Sequence, residues 1–479
     1  MERLERLKQL DREARMVHRI AAVLSWDQET YMPQGALEER AEQMAFLEGL
    51  AHDKAVSPEI GELLEASGST AENPSGSESL PLTDRAYLRV LRRNYDMETR
   101  LPVELVTAMA KDTSLSQAAW VQARRNNDYA SFAPHLRTML GHATSVASCI
   151  RPEARPYDVL LDRHEPGSTV EGVRTVFDRL KIDLVRILDA IRSRPQVEDS
   201  VLKARVPVQA QTAASEYLMR TLSFDFERGR LDTTAHPFTT TLGSSDVRIT
   251  TRYNETFFPT SVFGTMHETG HALYELGIDP SPDYRGTALA DASSMGIHES
   301  QSRLWENTVG RSKAFWEGHL QTMGAWLGPD VTGIGLDAFY RAINKVEPSL
   351  IRVEADEVTY ALHIILRFEL EAAMTDGSLD VADLPAAWTD GMKRLLGVVP
   401  PDDASGCMQD IHWSIGLFGY FPSYALGNLY AAQWWQAMRD QGVDPDGAIM
   451  RGDLPAILAW LRVHIHQPGA IYTPGELVR

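Results

Sequence analysis

The sequence predicts a mainly α-helical protein with one small β element, on three observations. Apolar residues recur at helical spacing along most of the 479 residues. Only one stretch, from Leu222 to Arg252, has the Thr and Ser density and the alternation of strands. The connections between periodic segments are mostly short, and no internal repeat is present. A chain of this length can bury a large core, as one big helical domain or as two to three smaller ones.

Taken in order, Leu4, Leu7 and Leu10, then Val17, Ile20, Ala21 and Leu24, form a helical apolar stripe that leads to Trp26-Asp27-Gln28-Glu29-Thr30. Pro33-Gln34-Gly35 marks a turn, and a second amphipathic run follows from Leu37 to about Leu50. Residues 66–80, rich in Ser and Gly, read as a surface loop between helices, because helical patterning resumes at Asp84. Helical signals continue through Leu101–Asn127, Phe132–Cys149 and Glu171–Arg192, the last opened by Ser168 and Thr169 as cap candidates. Asp246–Tyr253 alternates and is β-branched, which suggests a short strand pair leading into the next helix. A turn-rich segment spans Gly277 to Gly296; His298–Trp305 and nearly everything to Arg479 then read as helix.

The chemistry is concentrated in Thr265-Met266-His267-Glu268-Thr269-Gly270-His271. Val262, Met266, Leu273 and Leu276 recur at helical spacing, and Gly277 stands where a C-terminal cap is expected. On such a helix His267 and His271 project from one face, close enough to share a metal ion. Glu268 lies about 100° round from His267, where it can flank the metal without ligating it. This is the His-Glu-x-x-His arrangement of zinc hydrolases, two imidazole ligands and a carboxylate base. Gly264 and Gly270 each cost about 1 kcal/mol against alanine in a helix interior, so another segment or a ligand is expected near the backbone there.

A catalytic zinc usually takes a third protein ligand and keeps one position open. Glu275 lies roughly 12 Å along the axis from His267, too far to close round the same ion. Tyr274 and Gly277 occupy the positions at which the longer His-x-x-Gly-x-x-His variant needs Gly and His. A carboxylate from a following element remains: Asp291, Glu299 or Glu306, with Glu299 favoured because it sits on a helix entered through Gly296.

Composition excludes other classes of partner. A net charge of −19 argues against nucleic acid or an anionic membrane, both of which need a basic face. Cys149 and Cys407 are too few for a disulfide framework and suit a reducing compartment. No stretch approaches the ~20 apolar residues of a membrane span. The first residues, through Pro33, lack the apolar core of a signal peptide, so a cytoplasmic location is expected.

Six motifs occur in one order: His236-Pro237-Phe238, Asp246-x-Arg248-x-Thr250, His267-Glu268-x-x-His271, His298-Glu299-Ser300-Gln301, Ile351-Arg352-x-x-Ala355-Asp356 and Gly406-x-x-Gln409-Asp410-x-His412-Trp413. Together with Trp26–Thr30 and Gly419-Tyr420-Phe421-Pro422-Ser423-Tyr424, this set resembles the thermostable (Taq-type, M32) carboxypeptidase family of metallopeptidases, over essentially the whole chain. The resemblance implies a neurolysin- and angiotensin-converting-enzyme-like helical fold, with residues 1–479 as a single catalytic domain of two lobes around a deep central groove. It implies one zinc per chain (cobalt in some members), release of single residues from peptide C-termini with broad specificity, and a homodimer. Position by position, His267, His271 and Glu299 would hold the metal and Glu268 would be the base.

The chemistry asks for more groups. A tetrahedral oxyanion needs a donor besides the metal, and Tyr420 and His412 are the candidates. An exopeptidase must also recognise a free carboxylate, which a guanidinium does bidentately. Arg352, Arg248 and Arg252 are available; the family pattern favours Arg352, then Arg248. His236 is a candidate wall of the substrate site, and Asp356 a candidate carboxylate for orienting a zinc histidine. An endopeptidase or dipeptidase would use the same zinc helix, and a non-enzymatic helical interaction protein would not need Glu268.

Overall fold

The computed structural model describes residues 2–479. Helices α1 (Glu2–Thr30) and α2 (Leu37–Ala55) fold back on one another across the turn at Pro33. After α3 (Pro58–Ala66), the Ser- and Gly-rich stretch is a loop, as its composition suggests, and α4 (Leu82–Thr99) follows it. Next come α5 (Val103–Asn126) and α6 (Tyr129–Ile150), separated where Asn127 takes a left-handed φ of 53° and Asp128 caps the second helix. The short α7 (Pro156–His164) has no counterpart in the sequence reading, since nine residues are fewer than a periodicity window needs. In α8 (Val170–Arg192) the Thr169 hydroxyl accepts from Gly172 N at 3.1 Å, the cap expected there. The helical half ends with α9 (Val208–Thr221).

The β element is a three-stranded sheet and not a pair. Strands β1 (Gly229–Thr233), β2 (Thr239–Gly243) and β3 (Asp246–Thr251) are ordered β1-β3-β2. β1 runs parallel to β3 and β2 antiparallel, with Thr239 opposite Ile249. β1 escapes detection because it carries Arg230 and Asp232, which pair with each other at 2.7 Å, in place of an apolar alternation.

Helix α10 (Pro259–Gly277) packs on β3 and on α11 (Met295–Arg303), which Ser294 caps through Ile297 N. Gly277 ends α10, but Ile278 after it is extended, so no left-handed cap forms. The close approach of His466 accounts for this glycine: a Cβ there would lie 2.6 Å from the ring. α11 continues into a π-helical turn, Leu304–Val309. The rest is mostly helical, broken by irregular connections at 344–356 and 397–420 that are longer than the sequence suggests: α12 (Lys313–Leu327), α13 (Pro329–Thr332), α14 (Leu336–Ile343), α15 (Glu357–Thr375), α16 (Leu384–Leu396), α17 (Phe421–Asp440), α18 (Pro445–Met450), α19 (Leu454–Leu461) and α20 (Pro474–Leu477).

Two large apolar cores result. One gathers α5 to α8 and α16 around α15; the other gathers α9, α10, α12, α14, α18 and α19. α17 belongs to both, its Phe421, Ala425 and Leu426 to the first and its Trp434, Trp435 and Met438 to the second. Among the described residues no helix is long and apolar enough to cross a membrane.

Candidate active site

Glycine sets the spacing of the site. A Cβ on Gly270 would lie 2.6 Å from the carbonyl of Gln301 and 2.7 Å from Cα of Ser302, so α10 and α11 touch backbone to backbone. A Cβ on Gly427 of α17 would lie 2.6 Å from Cγ of Glu299. Glu299 is thus wedged between α10 and α17 and aimed at the two histidines. A Cβ on Gly264, also inside α10, would have nothing nearer than Thr251 Oγ1 at 3.9 Å, so no close approach explains it.

The donor atoms of His267, His271 and Glu299 lie within 4.8 Å of one another. Oε2 of Glu299 is 3.8 Å from His267 Nε2 and 3.4 Å from His271 Nε2. The other ring nitrogen of His267, Nδ1, is 2.9 Å from Glu306 Oε2 on the π-helical turn. That hydrogen bond assigns the proton to Nδ1 and leaves the Nε2 lone pair for a cation. The ring of His271 is backed by His298 at 4.4 Å between centroids, and His298 is itself held by Glu275 at 2.9 Å. Burial, with the adjacent His298, pushes His271 down to about 3, so its imidazole is neutral and able to ligate. Two imidazole nitrogens and one carboxylate oxygen on one point are a donor set that fits a divalent metal.

Arg303 neutralises the carboxylates behind this set. Its Nε donates to Glu299 Oε1 at 2.7 Å and its Nη1 to Glu306 Oε2 at 3.3 Å. Burial works against ionisation of Glu306, yet Arg303 and His267 hold it down at about 2. Arg303 lies four residues after Glu299 and three before Glu306, a charge spacing visible in the sequence but not singled out there. Asp291, the other carboxylate considered as a ligand, pairs with Arg15 at 2.6 Å and is not part of the cluster.

Glu268 is buried beside the histidines, and burial raises its pKa. Its Oε2 accepts from Thr239 Oγ1 of β2 at 2.6 Å, so the sheet orients this carboxylate. Thr239 was not anticipated, since nothing local in the sequence ties it to Glu268.

Tyr420 stands at the start of α17, after Gly419 with φ 81°. Its ring meets His164 edge-on at 5.2 Å and lies 5.9 Å from His412. Burial, then the negative charge of Glu299, push its phenol pKa up, so it stays a donor. His412 is neutral for the same reason of burial, which brings it down to about 3. Its Nε2 contacts Tyr424 Oη at 3.2 Å, while its buried Nδ1 has no partner.

Arg352 is buried and pairs with Asp410 through Nη2 at 2.9 Å and through Nε at 3.0 Å. Its Nη1 donates to Tyr360 Oη at 3.1 Å. Asp410 also receives Arg367 Nε at 2.7 Å, so one carboxylate serves two buried guanidiniums and a positive charge is left over. Arg367 was not foreseen. Arg248 is elsewhere occupied: it makes a two-point ion pair with Asp246, at 3.0 and 2.9 Å, and lies over Trp26. Arg252 is exposed, and so is His236, in the turn between β1 and β2. Asp356 caps α15 through the amides of Val358 and Thr359; the carboxylate on His267 is Glu306 instead.

The carboxypeptidase Taq (M32) metallopeptidase family model matches residues 6–479. The chain belongs to this family. Thermostable carboxypeptidase 1 of Thermus thermophilus is 41% identical, over 99% of this chain and 94% of that protein. Carboxypeptidase 1 of Bacillus subtilis is 38% identical, over 96% and 90%. The crystal structure of the M32 carboxypeptidase from Deinococcus radiodurans R1 superposes with a TM-score of 0.94 at 37% identity, covering 100% of this chain and 95% of that one. Trypanosoma cruzi metallocarboxypeptidase 1 matches with a TM-score of 0.93 at 34% identity and the same coverage. The helical fold is therefore that of the M32 carboxypeptidases, and the enzyme is a metallocarboxypeptidase.

Proposed function

We propose that the enzyme is a zinc carboxypeptidase that releases single amino acids from peptide C-termini with broad specificity. The observation that carries this is the convergence of His267, His271 and Glu299, with Glu268 held beside them by Thr239. When bound, the zinc supplies Lewis acidity to the attacking water and to the scissile carbonyl. Glu268 takes the proton of that water and delivers it to the leaving amine; its burial among few competing donors suits both roles. The Tyr420 phenol and the neutral His412 imidazole donate to the oxyanion as charge develops.

Arg352 receives the terminal carboxylate. Asp410 and Tyr360 hold it in place and leave further N–H groups of the guanidinium for that ligand. The positive charge shared with Arg367 around a single Asp410 favours an anion there. Arg248, tied to Asp246, is the second choice for this role, and His236 a wall of the substrate site. Residues 1–479 act as one catalytic domain whose two lobes are the two cores joined by α17. A homodimer in the cytoplasm is the expected form.

One experiment tests the reading. A short peptide and its C-terminal amide are incubated with zinc-loaded enzyme and followed by mass spectrometry. Stepwise loss of single residues from the free acid only is the expected result. Equal cleavage of both peptides would replace the carboxypeptidase assignment of the site by an endopeptidase one.

A further inference from the structure

Helix α15 is buried over almost all its length, yet it carries His363, Arg367 and Glu371 at four-residue spacing, a polar stripe on one face. Arg367 pairs with Asp410, and its charge also favours the Glu371 carboxylate one turn away. Glu371 is fully buried, and its three partners are neutral donors: Tyr157 Oη at 2.6 Å, Trp413 Nε1 at 2.6 Å and Gly419 N at 2.9 Å. Among the described residues no cation donates to it, and burial still pushes its pKa up to about 7, so a carboxylate is costlier here than an apolar side chain of that volume. The carboxylate therefore needs a reason other than packing.

Its partners supply one. Trp413 follows His412 and Gly419 precedes Tyr420, so a single carboxylate ties both ends of the segment 412–420 to α15. Tyr157 extends the tie to α7. On the opposite side a Cβ at Gly419 would lie 2.5 Å from the carbonyl of Leu160, also of α7. The Tyr420 phenol thus leaves the backbone from a point held on two sides.

We propose that Glu371 is a positioning residue for hydrolysis, acting through the Gly419 amide on the placement of the Tyr420 hydroxyl; this rests on the donor role proposed above for Tyr420. Only a carboxylate can accept all three hydrogen bonds. In Glu371→Gln the amide turns an N–H toward either Trp413 or the Tyr157–Gly419 pair, and one anchor is lost. A shift of about 1 Å in a group that meets the transition state costs on the order of 10²-fold in rate.

The test is steady-state kinetics on purified enzyme, with metal content and Tm measured alongside, for Tyr420→Phe, Glu371→Gln and the double variant. Glu371→Gln is expected to lower kcat by roughly 10–100-fold with KM and metal content little changed. In the Tyr420→Phe background the same change should cost far less, because the group it positions is already gone. The same factor of loss in both backgrounds, or full turnover by Glu371→Gln beside a slow Tyr420→Phe, overturns this inference alone. Wild-type turnover by Tyr420→Phe overturns the donor role and this inference with it. If Glu371→Gln does not fold, Tyr157→Phe removes one of the three hydrogen bonds more gently and is read by the same cycle, with a several-fold fall in kcat expected.

Discussion

Glu306 Oε2 and His267 Nδ1 are 2.9 Å apart, and this contact decides which nitrogen of His267 faces Glu299. In the sequence both glutamates after His298 were eligible as the third ligand. The structure separates them: Glu299 lies with the two Nε2 atoms, and Glu306 lies behind His267. If Glu299 is the third ligand as proposed, Glu299→Ala should abolish tight zinc binding. Glu306→Ala should weaken binding by only about 10–100-fold, as expected for a carboxylate that orients a ligand. Metal titration of both purified variants checks this; the reverse ranking would exchange the two roles.

The base is addressed by Glu268→Gln, which keeps shape but cannot take the proton of water. Turnover should fall by about 10²–10⁴-fold while zinc stays bound. Turnover near wild type in a zinc-replete Glu268→Gln enzyme would remove Glu268 from that role.

Thr239 acts on the same carboxylate from β2. Thr239→Val removes the hydroxyl at nearly constant shape, so kcat should fall with zinc content unchanged, and Thr239→Ser should restore much of it. Wild-type kcat in Thr239→Val would show that the hydrogen bond does not matter.

Arg352 is tested by a double cycle of wild type and Arg352→Ala against one peptide as free acid and as amide. Amidation removes a charge-assisted contact worth about 1.5–3 kcal/mol, a loss in kcat/KM of at least roughly tenfold. Arg352→Ala should impair the free acid similarly and add little on the amide. Losses that simply add would point to another partner, with Arg248 next.

Gly264 and Gly270 of α10 predict opposite outcomes. Gly270→Ala drives a methyl into the backbone of α11 and should cost about 1–3 kcal/mol, with weaker zinc binding as Glu299 shifts. Gly264→Ala meets nothing within 3.4 Å and should be neutral or stabilising by up to about 1 kcal/mol. Thermal melts of the two variants, with zinc titration, read both effects.

What could be read from the chain alone was local. Helical periodicity, the cap at Thr169 and the His-Glu-x-x-His spacing involve residues a few positions apart, whose relative placement a helix dictates. Gly270 announced a close approach for the same reason, although the identical signal at Gly264 has no counterpart in the structure.

The rest is decided by contacts between residues far apart in sequence. Thr239 meets Glu268, Tyr157 meets Glu371 and Arg352 meets Asp410 only because the sheet, α7 and α15 are packed around α10, α11 and α17. No periodicity encodes such pairs, and a short helix such as α7 leaves too few turns to show one. Local spacing alone put His267, Glu268 and His271 on one helix. Which nitrogen faces Glu299, which glutamate stands behind it and which arginine keeps an unbalanced positive charge were decided by tertiary packing. Those properties belong to buried groups, whose charge and orientation depend on whatever partner the fold brings within hydrogen-bonding distance.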